Sequence, residues 1–212
     1  MLKINKVVLP SAEQWEIVVE GARNPMNSWD RSDSDFPILG PNDLALLTKL
    51  ARAGKDHRKY MRMIPVFVDI TAPLYFWKEF DTYKVGTTAN STSTMHKIQS
   101  KEFSRDDFSH DHMSDFALAS LDRTIAELED RRQKFLETKD KSYWYDMIEI
   151  LPTSYNQKRT VSLNYEVLSN IYHSRRNHKL DEWHTLCDFI ETLPYSHLIT
   201  GEVSLNPCTT ST

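Results

Sequence analysis

The chain has 212 residues, a formal net charge of −4, five glycines and two cysteines. Each glycine stands alone, which excludes the Walker loop and the Rossmann fingerprint, because both need several glycines at one turn. The balance of 26 basic and 30 acidic residues gives no electrostatic basis for binding duplex nucleic acid. There is no apolar signal core near Met1 and no run of roughly 18 apolar residues, so we expect a cytoplasmic protein without a membrane partner.

The first half of the chain is predicted to alternate between strands and helices. In chain order, we expect a strand over 2–9, a helix over 11–21, a surface loop over 24–41, a helix over 42–54, a strand over 61–70 and a helix over 74–80. Ser11 is a good N-cap for the first helix, and Gly54 is a typical end for the second. Pro65 indicates that the strand over 61–70 lies at an edge or contains a bulge, and Pro73 suits the first turn of the next helix.

A stretch rich in serine and threonine follows. Residues 86–100 hold six Ser or Thr within the eight positions from Thr87 to Thr94. These side chains hydrogen-bond locally and disfavour a helix, so the stretch is predicted to be a loop. Because it lies between well-patterned elements, a loop that contacts a ligand and a plain connection are equally good interpretations.

The second half is predicted to be helical. Helices are expected over 111–138, 143–151, 157–176 and 181–193, and Leu121 and Leu128 belong to an apolar stripe on the first of them. The predicted fold class is therefore mixed α/β (α+β). We expect a single domain over 1–200 and a flexible tail over 201–212.

Two short segments and one cysteine contain side chains of the types found in metal, catalytic or phosphate sites. Each also has a structural explanation. His110-Asp111-His112 suggests a metal site, but no Glu or Cys partner is placed for it, and a helix N-terminus accounts for Asp111 equally well. Cys187 lies on an apolar face, where a thiol acts as a small hydrophobic side chain. The charged run KDHRK over 55–59 is either a solvated loop or a group of cations that receives a phosphate.

The predicted helix over 157–176 places two polar residues on one face. Asn164 and Arg175 are eleven residues apart, which is almost three helical turns, so we expect them to point the same way about 16 Å apart. Such a pair can hold an elongated polar ligand. The alternative is that Arg175 extends to solvent from a face that packs in the core.

A fixed order of landmarks runs from residue 54 onwards. His57 precedes the strand over 61–70, Ala72-Pro73 opens a helix, and TYKVGTTANSTST follows over 82–94. This order resembles the flavin-dependent thymidylate synthases. That family has a His before a strand, an Ala-Pro that opens a helix, and then the signature R-H-R-x-x-S-x-N-x-x-S-x-R.

The resemblance continues to about Phe189. Asn164, followed eleven residues later by Arg175, is similar to the family's N-x-R-S-L helix, and Glu182-Trp183 is similar to its Q-W-E element. The resemblance implies an α/β fold in which an antiparallel sheet is flanked by long helices. It also implies a homotetramer that methylates dUMP with methylenetetrahydrofolate and FAD.

The resemblance also assigns residues to the two ligands. It places FAD near His57, Tyr83, Lys84, Thr87, Asn164 and Asn170, and a dUMP-like nucleotide near Glu79, Thr92, Thr94 and Arg175. Thr92 stands at the position of the family's active-site serine. Its hydroxyl is expected to polarise the pyrimidine, which makes it the predicted catalytic residue.

Several charged positions of the family pattern differ in this chain. Residues 82–84 are Thr-Tyr-Lys where the signature has Arg-His-Arg, its last Arg falls on Thr94, and the Arg two residues after Asn164 falls on Glu166. Each lost charge-assisted contact from Arg to phosphate costs about 1.5 to 3 kcal/mol. The alternative function is therefore a catalytically inactive relative that binds or sequesters a nucleotide or a nucleotide-derived signal, as a phage-type sponge or a regulatory protein does.

Overall fold

The structure is a computed structural model that describes residues 2–201. The strands are β1 (Lys3–Val8), β2 (Pro65–Pro73), β3 (Thr88–Ser91) and β4 (Asn156–Asn164). The helices are α1 (Ala12–Arg23), α2 (Pro41–Arg52), α3 (Leu74–Phe80), α4 (Asp115–Thr138), α5 (Lys141–Glu149), α6 (Tyr165–Arg175), α7 (Asp181–Glu191) and α8 (His197–Thr200). Of the predicted tail over 201–212, Gly201 is the C-cap of α8, and residues 202–212 lie outside the described residues.

The strands form one antiparallel sheet in the order β1-β2-β4-β3. The pairing of the two central strands continues past their ends: Tyr165 N donates to Ile64 O, and Leu74 N donates to Tyr155 O. Residue numbers rise along β2 as they fall along β4, which is the antiparallel register. The mixed fold class with an antiparallel sheet and long helices, expected from the sequence, is thus confirmed.

The predicted helix over 157–176 is wrong in its first half. Residues 156–164 form β4, and the helix begins only at Tyr165. Along the strand, Gln157, Val161 and Leu163 are buried while Lys158 and neighbours of the same parity are more exposed, which is the alternation of a half-buried strand. Asn164 is therefore the N-cap of α6 and not a residue of the helix interior, and Arg175 is the last residue of the helix.

The strand predicted over 61–70 begins at a later residue, and its position in the sheet is not the expected edge. Residues 58–63 form a 3₁₀ helix, and β2 starts at Pro65. The strand pairs with β1 on one side and β4 on the other, so it is central and not an edge strand. Pro65 is tolerated because it is the first residue of the strand, where its missing N–H leaves the ladder intact.

The stretch over 86–100 is not entirely a loop. Residues Thr88–Ser91 form β3 at the edge of the sheet, and all four are exposed. The β-branched Thr88 fits an extended edge strand when a neighbouring strand offers hydrogen bonds. The helix predicted from 111 also differs, since α4 starts at Asp115 after the N-cap Ser114.

The sequence patterns at other helix ends are confirmed. Ser11 caps α1 by a capping box with Gln14, and Pro73 occupies the N-cap position of α3, which covers the expected residues 74–80. These ends were predictable from local chemistry, because the Ser11 side chain bonds to Gln14 within the first turn and the ring of Pro73 fixes its own φ.

The described residues divide into two compact units. The α4 unit comprises residues 2–5, 69–82 and 89–160, and the α6 unit comprises residues 6–68, 83–88 and 161–201. Both central strands pass from one unit into the other along the chain. The single domain expected over 1–200 stays a prediction.

Each unit has its own apolar core. In the α4 unit, α4 and α5 bury a cluster of six side chains: Ile98, Phe103, Phe108, Leu121, Leu128 and Met147. In the α6 unit, Trp15 of α1 is buried with its ring centroid 6.0 Å from that of Tyr165 and 5.2 Å from that of Tyr195. The edge-to-face geometry of both pairs is the favourable one for aromatic rings.

A buried ion pair organises the connection between α1 and α2. Arg23 Nε donates to Asp43 Oδ1 at 2.6 Å, and neither side chain is more than 5% exposed. Asp43 also accepts the hydroxyls of Ser32 and Ser34, while Arg23 donates to the carbonyls of Ser28 and Arg31. The predicted surface loop over 24–41 is thus held in one conformation by polar contacts.

Candidate functional site

Helix α6 organises the predicted site residues of its unit. Asn164 ends β4 in an extended conformation, and its Oδ1 accepts the backbone N–H of Val167 at 3.1 Å. This is the usual contact by which Asn satisfies one of the free donors of a helix N-terminus. The Oδ1 atom of Asn164 is therefore engaged inside the chain, and its amide nitrogen is the group that faces the next segment.

Residues 83–87 run along this helix in the opposite direction. At the C-terminal end of α6, Arg175 Nε donates to the Tyr83 hydroxyl at 3.0 Å. At the N-terminal end, a Cβ atom on Gly86 would lie 3.0 Å from Asn164 Nδ2 and 3.1 Å from Val167 Cγ2. Gly86 also has a φ of +79°, so both its conformation and the close approach to α6 require glycine.

The guanidinium of Arg175 lies against two aromatic rings. Its Cζ atom is 4.6 Å from the ring centroid of Trp183 on α7 and 5.7 Å from that of Tyr83. Trp183 is fully buried, and the two rings meet edge to face at 6.0 Å. Cation–π contacts and the hydrogen bond to Tyr83 together hold the Arg175 cation in one orientation.

Thr87 completes this group with an unsatisfied hydroxyl. Its Oγ1 atom is buried and has no hydrogen-bond partner among the described residues. A buried hydroxyl without a partner costs about 1 to 3 kcal/mol, so such an atom needs an explanation. We call Tyr83, Thr87, Asn164 and Arg175 the Arg175 face: Tyr83 contacts Arg175 at the C-terminal end of α6, Asn164 lies beside Gly86 at the N-terminal end, and Thr87 follows Gly86 in the chain.

Asn170 faces another side of α6. Its Oδ1 accepts Nη2 of Arg58 at 3.0 Å. One turn earlier, Glu166 pairs with Arg62 through both carboxylate oxygens and lies 3.6 Å from Arg58 Nε. Glu166 and Arg175 are nine residues apart, or two and a half turns, so their side chains leave the helix in opposite directions.

His57 and Lys84 are the remaining predicted residues of the α6 unit. Both side chains are exposed, and His57 serves as the N-cap residue of the 3₁₀ helix over Arg58–Met63. In sequence, His57 is adjacent to Arg58, and Lys84 is adjacent to Tyr83. No described hydrogen bond joins either side chain to the Arg175 face.

The α4 unit contains the remaining predicted residues. Thr92 follows β3, where its backbone N–H donates to Lys158 O at 2.9 Å and its Oγ1 donates to the same carbonyl at 3.3 Å. Thr94 is half-buried two residues later, and Glu79 is half-buried on α3. Thr92 thus presents an exposed hydroxyl on a backbone fixed by the neighbouring strand.

Arg159 is a polar residue of this unit that the sequence pattern did not reveal. It donates to Asp81 Oδ1 at 2.7 Å and to Gln157 Oε1 at 2.9 Å, and its Cζ atom lies 4.4 Å from the Trp77 ring centroid. Gln157 Nε2 in turn donates to Thr92 O at 2.8 Å. The signal that identifies this network is the two-residue alternation of β4, which the predicted helix had hidden.

Comparison with known proteins rests on structure alone. No protein-family model and no curated protein matches the sequence. The structure is similar to thymidylate synthase X (ThyX) from Helicobacter pylori with FAD and dUMP, at a TM-score of 0.66 and 16% identity over 93% of this chain and 94% of that one. It is also similar to the UMP/dUMP methylase PolB from Streptomyces cacaoi bound with 5-Br dUMP, at a TM-score of 0.65 and 14% identity over 95% of each chain.

The chain has the fold of the flavin-dependent thymidylate synthases. The resemblance drawn from the motifs is thereby confirmed at the level of the fold. At this identity the shared fold does not itself assign an activity or a ligand. Within the thymidylate synthase fold, the predicted residues of the α6 unit divide between the Arg175 face and the surroundings of Asn170.

Three further findings concern the described residues of this chain. Among residues 2–201, no group of three or more His, Cys, Asp or Glu side chains has the arrangement of a metal site, and His110 Nδ1 lies 2.9 Å from Phe108 O. Cys187 is completely buried, as predicted for a small hydrophobic side chain, and burial raises the pKa of its thiol to about 11. Over the same residues, no helix combines the length and apolar character needed to cross a bilayer.

Proposed function

We propose that this protein binds a uracil nucleotide together with FAD and methylates the nucleotide with methylenetetrahydrofolate. Two structural neighbours with this fold contain dUMP or 5-Br dUMP, and one of them also contains FAD. The observation that carries the proposal is the buried Thr87 hydroxyl, which has no described partner and belongs to the residue set predicted for FAD. An unsatisfied buried hydroxyl at that position is explained by a bound ligand that accepts or donates its hydrogen bond.

The residues around Thr87 fit a flavin. Thr87 Oγ1 and the Asn164 amide nitrogen offer hydrogen bonds, Gly86 lets the backbone approach α6 closely, and Lys84 offers a cation. These are the groups that a flavin's ring edge and phosphates require. When bound and reduced by an external two-electron donor, the flavin would supply the two electrons that turn the transferred methylene unit into a methyl group.

The proposed roles of the protein in the reaction are binding, orientation and polarisation. Arg175 presents a cation whose orientation is already determined by Tyr83 and Trp183, so little side-chain entropy is lost when it binds a nucleotide oxygen. Thr92 is the proposed catalytic residue; its hydroxyl exchanges its 3.3 Å contact with Lys158 O for a pyrimidine carbonyl. Glu79 and Thr94 are the other residues that the resemblance assigns to the nucleotide.

A second candidate function is supported by the contacts of Asn170 and Glu166. Asn170 belongs to the predicted FAD set, yet its Oδ1 accepts a hydrogen bond from Arg58 within the chain. Glu166 adds a negative charge beside it, although an Arg is expected there from the family pattern. Both contacts favour a protein that binds a nucleotide, or a nucleotide-derived signal, without converting it. The expected homotetramer is part of either proposal.

Two measurements on the purified protein test the proposals. Flavin absorbance near 450 nm, as purified or after incubation with FAD, is expected for the methylase. Methylation at C5 displaces the C5 hydrogen, so tritium release from [5-³H]dUMP in the presence of FAD, methylenetetrahydrofolate and a chemical reductant of the flavin is the activity assay. Absence of both flavin binding and tritium release would overturn the methylase.

A thermal-shift experiment separates the two candidates. For the methylase, dUMP is expected to raise the melting temperature more when FAD is present, because the proposed reaction requires both ligands to be bound next to each other. For the inactive relative, dUMP or a cyclic nucleotide stabilises the protein equally with and without FAD. If no nucleotide stabilises the protein under either condition, both proposals are contradicted.

A further inference from the structure

Arg58 is a largely buried cation whose charge and hydrogen-bond donors are only partly matched by acceptors in the chain. Its side chain is 17% exposed, and its Nε atom is buried without a hydrogen-bond partner among the described residues. The nearest carboxylate is Glu166, which stands 3.6 Å from Arg58 Nε, beyond hydrogen-bond distance. A buried charged donor in this state is unfavourable unless another acceptor joins it.

Glu166 is occupied by a different partner. Arg62 contacts both carboxylate oxygens, one from Nε and the other from Nη2 at 3.3 Å. Two guanidinium groups therefore share one negative charge, and the contact from Arg58 to Asn170 involves only a neutral amide. We call Arg58, Arg62, Glu166 and Asn170 the Arg58 cluster; it carries one positive charge in excess.

The residues next to Arg58 in sequence add to this excess of positive charge. Lys55 and Lys59 lie close to Arg58 in sequence, with Asp56 as the opposing charge. The surroundings of Arg58 are thus basic in a protein whose overall formal charge is −4. A locally positive charge around a hydrogen-bond donor that has no acceptor is typical of an anion site.

We propose that the Arg58 cluster binds the pyrophosphate group of an anionic ligand. Arg58 donates from Nε and Arg62 from its exposed edge, while Asn170 orients Arg58. Glu166 keeps the two guanidinium groups side by side. Pyrophosphate is present both in FAD and in nucleoside diphosphates; the choice of FAD rests on the proposed function, whereas the anion site rests only on the contacts and charges of the Arg58 cluster and its neighbours.

Calorimetric titration with inorganic pyrophosphate tests the site directly. We expect binding to the wild-type protein and a loss of affinity of about tenfold or more in Arg58→Gln, because a charge-assisted contact is removed. Arg176→Gln is the matched control, since Arg176 is a half-exposed Arg with carboxylate partners of its own, Asp188 and Glu191. We expect its affinity for pyrophosphate to equal that of the wild type.

Arg62→Gln keeps the test decisive if the Arg58 variant does not fold. Arg62 is 57% exposed, so its replacement is tolerated structurally. Without Arg62, Glu166 neutralises Arg58, and affinity for pyrophosphate is expected to fall as well. The proposal is overturned if wild-type protein does not bind pyrophosphate, or if the folded Arg58 or Arg62 variants lose no more affinity than Arg176→Gln.

Further titrations identify the source of the pyrophosphate. If FAD and ADP both bind and riboflavin does not, the pyrophosphate itself is recognised; if only FAD shows the Arg58 dependence, the ligand is the flavin. Pyrophosphate binding without any flavin binding supports the anion site and contradicts the proposed methylase. Conversely, if the binding of both flavin and inorganic pyrophosphate is unchanged in Arg58→Gln, the methylase is supported and this inference is overturned.

Discussion

Arg175 donates a hydrogen bond from Nε to the hydroxyl of Tyr83 at 3.0 Å, and its guanidinium also lies over the Tyr83 ring. Tyr83 therefore contacts Arg175 through both its polar and its aromatic part. The signature of the resembling family has a His at the position of Tyr83. In this chain Tyr83 and Trp183 together orient the Arg175 cation.

Substitution of Tyr83 separates these two contributions. Tyr83→Phe keeps the ring and removes the acceptor, so we expect a loss of about 1 kcal/mol in the free energy of unfolding. Tyr83→Leu removes the cation–π contact as well and is expected to weaken dUMP binding further. Urea denaturation and dUMP titration measure the two effects. Unchanged dUMP affinity in both variants would contradict a positioning role for Tyr83.

Gly86 and Gly54 form a matched pair for a test of the close approach to α6. Gly54→Ala carries only the strain of a positive φ, because a Cβ atom at residue 54 would meet none of the described residues within 4 Å, and about 1 kcal/mol of stability is expected to be lost. Gly86→Ala has the same type of strain and also a contact at 3.0 Å with Asn164, so the expected loss is about 2 to 3 kcal/mol. Chemical denaturation of both variants checks this difference. Equal losses would show that the chain relaxes around residue 86.

Local signals allowed much of the fold to be predicted. Ser11 and Pro73 act on residues within one helical turn, and the alternation of Val66, Val68 and Ile70 is visible in the sequence. The boundary between β4 and α6 was missed because the spacing of Asn164, Leu168, Ile171 and Arg175 suits one face of a continuous helix. The pairing of β4 with β2 decides in favour of a strand, and this pairing is a long-range interaction.

The candidate site was predictable in its residue types but not in its contacts. Tyr83, Thr87 and Arg175 were identified by their positions in a family pattern, and a hydrogen bond joins Tyr83 to Arg175 in the structure. The bond from Arg58 to Asn170 joins residues that are 112 positions apart, and no local pattern predicts it. The same is true of Arg159, whose direction depends on the strand register of β4.

Asp43 makes acid stability a test of the loop over 24–41. Burial by itself raises the pKa of this carboxyl, but hydrogen bonds from Ser34, Ser32 and Arg23 outweigh it, so that the pKa is lowered in the folded state. A lowered folded pKa stabilises the protein above the unfolded value of about 4, and this stability is lost as the pH falls further.

The Asp43→Asn variant should lack this part of the pH dependence. It leaves the buried Arg23 without its counter-charge, and we expect about 3 kcal/mol less stability at pH 7. Denaturation of both proteins between pH 7 and pH 3 measures the difference, which is expected to shrink towards the acid end. A constant difference over the whole range would show that Asp43 does not titrate in this interval.

The raised pKa of Cys187 predicts an unreactive thiol. With a pKa of about 11 and complete burial, the thiolate is scarce and inaccessible at pH 8. In a Cys208→Ser background, we expect no reaction with Ellman's reagent in the folded protein and one equivalent of thiol in denaturant. Reaction of the folded protein within minutes would show that the helix α7 opens locally.

Thr92 tests whether the proposed chemistry needs the hydroxyl itself. Thr92→Val keeps the shape and removes the donor, and we expect tritium release from [5-³H]dUMP to fall about a hundredfold, as for the loss of one hydrogen-bond donor to a developing charge. Thr92→Ser keeps the donor and is expected to retain most of the activity. Stability should change little in either variant, because the hydroxyl is exposed and the backbone N–H still bonds to Lys158 O. If valine is as active as serine, Thr92 holds the strand edge in place and has no role in polarising the pyrimidine.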